Sequence, residues 1–190
     1  TIAAITGGSN NLTLSTGDNI ANTDITASGA ISGLGNLTLA DVGGTATFSA
    51  NVAAAALSAA NTVANITFTG STNTFSAAST LANDGTLNLG NASGDTFTFN
   101  GGLTESTTGT VTLASAISSS NDAISFGAVT LGANTTIDTN ATNTTGDITI
   151  GAVTGGSNTL TLTTENNIGG ADVTVSGAIS GVTTLTLSNI

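Results

Sequence analysis

The sequence predicts an all-β chain wound as a parallel β-solenoid, with coils of 21 to 25 residues and two to three short strands in each coil. Three observations lead there. Short triplets recur in which large apolar residues flank a small polar one; the distance between equivalent triplets is nearly constant; and the residue inventory is too narrow for a conventional core.

The triplets, in chain order, are Leu12-Thr13-Leu14, Leu37-Thr38-Leu39, Ile66-Thr67-Phe68, Leu87-Asn88-Leu89, Phe97-Thr98-Phe99, Val111-Thr112-Leu113, Ile124-Ser125-Phe126, Ile148-Thr149-Ile150, Leu160-Thr161-Leu162, Val173-Thr174-Val175 and Leu185-Thr186-Leu187. Alternation at period two is the mark of a half-buried strand, with the polar residue outward and the branched residues inward. Between them lie Gly, Asn, Asp and Ser clusters such as Gly7-Gly8-Ser9-Asn10, Asn83-Asp84-Gly85 and Asn100-Gly101-Gly102, which read as corners. One stretch, Ala53-Ala54-Ala55-Ala56-Leu57, has the local propensity for a turn or two of helix. The run Thr135 to Asp147 is the most polar in the chain and reads as a protruding loop.

Equivalent triplets stand one coil apart. Leu12 to Leu37, Ile148 to Val173 and Leu160 to Leu185 are each 25 residues; Leu87 to Val111 and Ile124 to Ile148 are 24; Ile66 to Leu87 is 21. At about 4.8 Å per coil, roughly eight coils would make a rod on the order of 40 Å long. A sandwich would need larger residues to fill the space between its sheets, whereas stacked coils fill a narrow interior with Ile, Leu, Val and Ala. Asn10 and Asn158 are candidates for inward, stacked hydrogen-bonded positions.

The chain also restarts itself. Residues 1–42 align without a gap on residues 149–190, with 25 identities in 42 positions. Ile5-Thr6-Gly7-Gly8-Ser9-Asn10 returns as Val153-Thr154-Gly155-Gly156-Ser157-Asn158, and Ser28 to Gly33 returns unchanged as Ser176 to Gly181. Residues 1–190 therefore read as one continuous solenoid segment, with a long repeat unit 1–148 that begins again at 149–190. Both ends fall inside patterned sequence, so the expectation is a segment of something longer.

Composition narrows function. The 190 residues include 40 Thr, 25 Gly and 21 Asn, and no Lys, Arg, His, Pro, Cys, Met, Trp or Tyr. Without His, Lys or Cys there is no usual activator for a Ser nucleophile, no Schiff base, no thiolate and no zinc site. Without Lys or Arg there is no electrostatic grip on nucleic acid, and a net charge of -11 repels anionic membranes. The acids, Asp18, Asp24, Asp41, Asp84, Asp95, Glu105, Asp122, Asp138, Asp147, Glu165 and Asp172, read as solvated charges spaced widely along the chain. No run of 18 apolar residues is present to span a bilayer as a helix.

The motifs that could carry chemistry are incomplete. Asn22-Thr23-Asp24 resembles one element of polygalacturonase-type β-helix glycosidases, but the adjacent Asp pair, the G-H-G and the basic residue are missing, leaving a turn acid. Gly90 to Thr98 can be laid on a calcium-binding nonapeptide, yet matches only the first Gly, Asp95 and the apolar position. Asp138-Thr139-Asn140-Ala141-Thr142 begins like an EF-hand and lacks its Gly and closing Glu. Seven N-x-S/T sequons, at Asn11, Asn36, Asn65, Asn91, Asn134, Asn140 and Asn143, are candidate glycosylation acceptors, several of them expected from an Asn- and Thr-rich composition alone. Thr67-Phe68-Thr69, Thr96-Phe97-Thr98 and Thr159 to Thr163 resemble the T-x-T arrays of solenoid ice-binding proteins, although Asn88 and Ser125 interrupt the pattern. No catalytic, cofactor-binding or metal-ligating residue is assigned, and no cofactor is expected.

Gly146-Asp147-Ile148-Thr149-Ile150-Gly151-Ala152-Val153 and Ser28 to Gly33 resemble the repeats of giant bacterial surface proteins of the filamentous haemagglutinin and autotransporter-passenger type. The resemblance covers the whole chain and rests on composition and short phrases; the total lack of Lys and Arg departs from it. It implies a right-handed parallel β-helix, export to the cell surface, and roles in adhesion, biofilm or extracellular fibres. The functional expectation is a non-enzymatic structural repeat module of an extracellular β-solenoid fibre or giant surface adhesin, whose partner is itself, by axial stacking and lateral bundling. Lack of Lys and Arg also removes trypsin-type cleavage sites. The alternative is a solenoid face that binds carbohydrate or a host surface. Against that stands the expectation that most of the six Phe (Phe48, Phe68, Phe75, Phe97, Phe99 and Phe126) occupy inward strand positions, not outward ones as sugar platforms.

Overall fold

The computed structural model describes residues 1–17, 20–140, 145–164 and 170–190. All regular structure among them is strand, and every pairing is parallel. Each coil has three sides. Side one stacks Ile5–Thr6, the first half of Ile31–Leu39, the first half of Val52–Ala59, Thr72–Phe75, Thr96–Phe99, Ala116–Ser118, Thr135–Asp138, Thr159–Thr163 and Thr184–Ser188. Side two stacks Leu12–Leu14, the second halves of the same two long strands, then Ser79–Leu81, Leu103–Glu105, Ile124–Phe126, Ile148–Ile150 and Val173–Val175. Side three stacks Ile25–Ala27, Val42–Phe48, Val63–Phe68, Leu87–Leu89, Val111–Leu113, Val129–Leu131, Val153–Thr154 and Ile179–Ser180. Seven turns separate the first and last of side three's eight strands, close to the eight coils expected.

Sides one and two share one 15-stranded sheet because Ile31–Leu39 and Val52–Ala59 run through the corner without a break. The first of them turns on a register shift between Ile31 and Leu34, where Gly33 takes φ 63°. The poly-alanine run is therefore strand, not helix. Neighbouring strands pair with it on both sides, at Ala54, Ala56 and Leu57 below and at Ala53 and Ala54 above, which outweighs a helix propensity that is only a weak local preference.

The interior is a set of apolar columns. On side three Ile25, Ala46, Ile66, Leu87, Val111, Val129 and Val153 follow one another, and all are buried. Each sits in contact with the residue one coil up and one coil down, so burial of a branched side chain, about 1.5–3 kcal/mol each, accrues only when coils stack. All six Phe lie inside, at most 2% exposed. Phe48 stacks on Phe68 with centroids 4.7 Å apart, Phe75 on Phe99 at 5.1 Å, and Phe97 meets the Phe68 ring edge-on at 5.7 Å.

Two expectations about polar residues are corrected. Thr135–Asp138 is a strand of side one, not part of a loop: Thr135, Ile137 and Thr139 alternate inward and are buried. Threonine is tolerated there because Thr135 Oγ1 donates to the Leu113 carbonyl at 3.2 Å and Thr139 Oγ1 to that of Gly146 at 2.6 Å. Residues 141–144 of that run lie outside the described residues. Asn10 and Asn158 do not stack inward. Each donates from Nδ2 within its own corner, to the carbonyl of Gly7 (2.8 Å) or Gly155 (3.0 Å), and Asn158 Nδ2 also reaches the Leu131 carbonyl of the preceding coil at 2.9 Å.

Candidate functional site: corners, ladders and the open end

The corners explain much of the asparagine and aspartate. A side-chain oxygen just ahead of a strand, or inside it at Asn65, accepts the backbone N–H one coil later: Asn11 from Asn36 (2.8 Å), Asp24 from Thr45 (2.8 Å), Asn51 from Thr72 (3.1 Å), Asn65 from Thr86 (2.9 Å), Asn134 from Thr159 (3.0 Å) and Asp147 from Asp172 (2.9 Å). These side chains splice a ladder where the backbone alone would leave an N–H unmet. Composition alone reads Asn11, Asn65 and Asn134 as sequons, Asp24 as a turn acid and Asp147 as a solvated charge. A sequence signal exists for three of them, Asn11, Asn65 and Asp147, each of which stands just ahead of an apolar triplet.

The candidate chemical motifs are occupied by the fold in the same way. Asp24 of the Asn22-Thr23-Asp24 element spends Oδ1 on the Thr45 amide, while Thr23 Oγ1 donates to Thr16 Oγ1 at 2.9 Å. Asp95 of the nonapeptide-like stretch turns Oδ2 onto the amides of its own loop, Asn91 at 2.8 Å and Ala92 at 3.2 Å. Asp138 Oδ1 accepts the Asn140 amide at 2.8 Å; Ala141 and Thr142 of that motif, and sequon Asn143, lie outside the described residues. Among the described residues no three acidic side chains are grouped so as to hold a metal ion.

The expectation that every acid is solvated fails for two of them. Asp95 is 6% and Glu105 5% exposed. Glu105 takes an inward position because it is the third residue of Leu103-Thr104-Glu105, opposite Leu81. Its carboxylate accepts the Thr107 amide through Oε1 and the Gly127 amide at 3.0 Å through Oε2. Asn73 and Asn83 are likewise wholly buried. Asn73 Oδ1 accepts the Val52 amide at 3.1 Å and its Nδ2 donates to Gly70 at 2.8 Å; Asn83 Nδ2 donates to Thr86 at 2.9 Å. Among the described residues every buried side-chain nitrogen and oxygen has a hydrogen-bond partner. Asp18 and Glu165 lie outside the described residues.

The outer surface carries hydroxyl ladders. On side two the outward position reads Thr13, Thr38, Ser58, Thr80, Thr104, Ser125, Thr149, Thr174 without interruption. Side one carries two parallel columns over six coils: Thr72, Thr96, Ala116, Thr136, Thr161, Thr186 and Thr74, Thr98, Ser118, Asp138, Thr163, Ser188, of which Thr163 is buried. Asn88 lies on side three directly over Thr67 and does interrupt the column that Thr67 belongs to; Ser125 lies in the side-two column, and neither belongs to the side-one columns. A shallow depression of about 330 Å³ on side one, where Ala53 to Ala55 present no bulk, is lined by hydroxyls of Ser9, Thr74 and Ser76 and holds no ionisable group.

The two ends differ from the middle. Leu185 and Leu187 in the last coil are 42% and 53% exposed, although they stand on Leu160 and Leu162 in the inward columns, and Ile190 is 45% exposed. In comparisons with protein-family models, curated proteins and solved structures, the chain matches none of them.

Proposed function

We propose that the chain is a non-enzymatic structural repeat module of an extracellular β-solenoid fibre or giant surface adhesin, able to continue end to end. The observation that carries this reading is the treatment of polar groups. Those that could do chemistry, Asp24, Asp95, Glu105, Asn73 and Asn83, are engaged with backbone of the coils themselves. A surface with no positive side chain, and hydroxyl ladders in place of a pocket with convergent groups, suits a spacer that must stay soluble and resist proteases outside the cell. The test is to purify the chain and image it. Long thin filaments with a meridional repeat near 4.8 Å support the reading; discrete particles that bind glycans on an array would move it to the carbohydrate-binding alternative.

One observation favours a second reading. The paired columns lie on a single side, and Thr72/Thr74 and Thr96/Thr98 repeat the same threonine pair in successive coils; Ala116, Ser118, Asp138 and Ser188 lack a hydroxyl or a methyl and Thr163 is buried. Thermal hysteresis of the purified chain decides it: a freezing-point gap supports ice binding, and none dismisses it.

A further inference from the structure

The two copies of the repeated sequence are covered differently. Leu37 and Leu39 rest on Leu12 and Leu14 and are wholly buried beneath Leu57 and Ala59. Their counterparts 148 residues on, Leu185 and Leu187, rest on Leu160 and Leu162 in the same way but are roughly half exposed. The pattern holds around the coil. Ile25 is buried under Ala46 and Ile31 under Val52, while Val173 and Ile179 are only half-buried; Val42 is buried under Val63, while Ile190 is exposed.

The second copy also sits on different sides of the coil. Ile5, Leu12, Ile25, Ile31 and Leu37 lie on sides one, two, three, one and two; Val153, Leu160, Val173, Ile179 and Leu185 lie on sides three, one, two, three and one. Two strands serve two sides each, so Val153 stands twenty side positions after Ile5, and twenty is not a multiple of three. The corner between the strands is indifferent to this rotation. Gly8 and Ser9 have φ 56° and 66°, Gly156 and Ser157 have 56° and 69°, and Thr16 Oγ1 donates to Asp41 O at 2.8 Å as Thr164 Oγ1 does to Asn189 O at 2.6 Å.

We infer that the coil Val173–Ile190 is a docking surface for a second copy of the sequence Val42–Val63. Ala46 is placed over Val173, Val52 over Ile179, Leu57 over Leu185, Ala59 over Leu187 and Val63 over Ile190, each unit being turned by one side against the one before. The inference rests on the structural-module reading and specifies its interface. The open coil is made of the sequence that this segment covers elsewhere in the same molecule, by parallel pairing and apolar stacking that an unpaired edge leaves undone. Three units then restore the phase after twenty coils, a period of roughly 95 Å at about 4.8 Å per coil. A surface group present once per unit is shown on all three sides in turn.

The test is a chain in which residues 43–190 are repeated after Ile190. The protein has no cysteine, so one pair can be introduced: Thr186→Cys together with Ser58→Cys in the second copy. Those positions should stack as Thr38 does on Ser58, within reach of a disulfide. The expected result is a single rod whose engineered pair oxidises as readily as a Thr38→Cys/Ser58→Cys control. The amides of Thr184–Ser188 should exchange about a hundredfold more slowly than in the 190-residue chain. A single rod whose pair fails to link would overturn the register and leave the structural-module reading standing. Two independent rods on a flexible joint, with Thr184–Ser188 still unprotected, would overturn both.

Discussion

Glu105 Oε2 accepts the Gly127 amide at 3.0 Å, tying one coil to the next from inside an apolar column. The same carboxylate holds the Thr107 amide, so it serves two backbone donors that the corner leaves without a ladder partner. Glu105→Ala should lower the unfolding free energy by about 1–3 kcal/mol, since it strands two amides and opens a void. Glu105→Gln keeps an acceptor oxygen and should lose less. Urea denaturation at constant m-value reads the difference; an alanine variant as stable as the parent would mean that those amides find other partners.

Phe68 lies face to face with Phe48 and against the edge of Phe97, which makes it the joint between the stacked aromatic pair and its neighbours. Phe68→Ala should cost about 3–5 kcal/mol by transfer and cavity terms together. Phe68→Leu, which refills most of the space, should cost under about 1.5 kcal/mol. In a double-mutant cycle, Phe48→Ala and Phe68→Ala should couple by about 0.5–1.5 kcal/mol. Strict additivity would show that the ring geometry contributes nothing beyond area.

Two glycines test how closely the coils approach. A Cβ on Gly109 would lie 2.0 Å from the Gly85 carbonyl oxygen, a backbone atom that cannot move without parting two rungs. Gly94 meets nothing within 4 Å. Gly109→Ala should therefore destabilise by more than about 2 kcal/mol, while Gly94→Ala should be neutral or stabilising by about 0.4–1 kcal/mol through loss of unfolded-state freedom. Thermal melts of the two variants should move in opposite directions or by clearly different amounts.

The stacking register was legible in the sequence. All six distances between equivalent triplets are register pairs, from Leu12 opposite Leu37 to Leu160 opposite Leu185. Period-two alternation reports which residues point in, and the repeat distance reports which residue lies one coil on. Neither reports the side. Leu87-Asn88-Leu89 and Phe97-Thr98-Phe99 are alike as strings and lie on sides three and one, so the threonine columns could be sorted only after the topology was known. Hydropathy also misjudged Glu105 and Thr139. Their burial depends on backbone donors or acceptors contributed by other parts of the coil, which no local window contains.

Charge shows the same collapse of sequence distance into contact. Asp147 and Asp172 are 25 residues apart, yet the register of Ile148 on Val173 places them one above the other, and the Asp172 amide donates to Asp147 Oδ1 at 2.9 Å. No cationic side chain exists anywhere in the chain to relieve them. Like charges directly opposite across a parallel ladder oppose pairing, and the effect weakens as salt shortens the screening length from about 30 Å at 0.01 M to about 3 Å at 1 M. The unfolding free energy should accordingly rise with sodium chloride. Asp147→Asn keeps an acceptor for the Asp172 amide and removes one of the facing charges. It should stabilise by a few tenths of a kcal/mol, about 0.3–1 at low salt, and the gain should shrink toward zero at high salt. Equal stability of parent and variant at 0.01 M, by urea titration, would show that the carboxylate's stronger hydrogen bond offsets the repulsion at this corner.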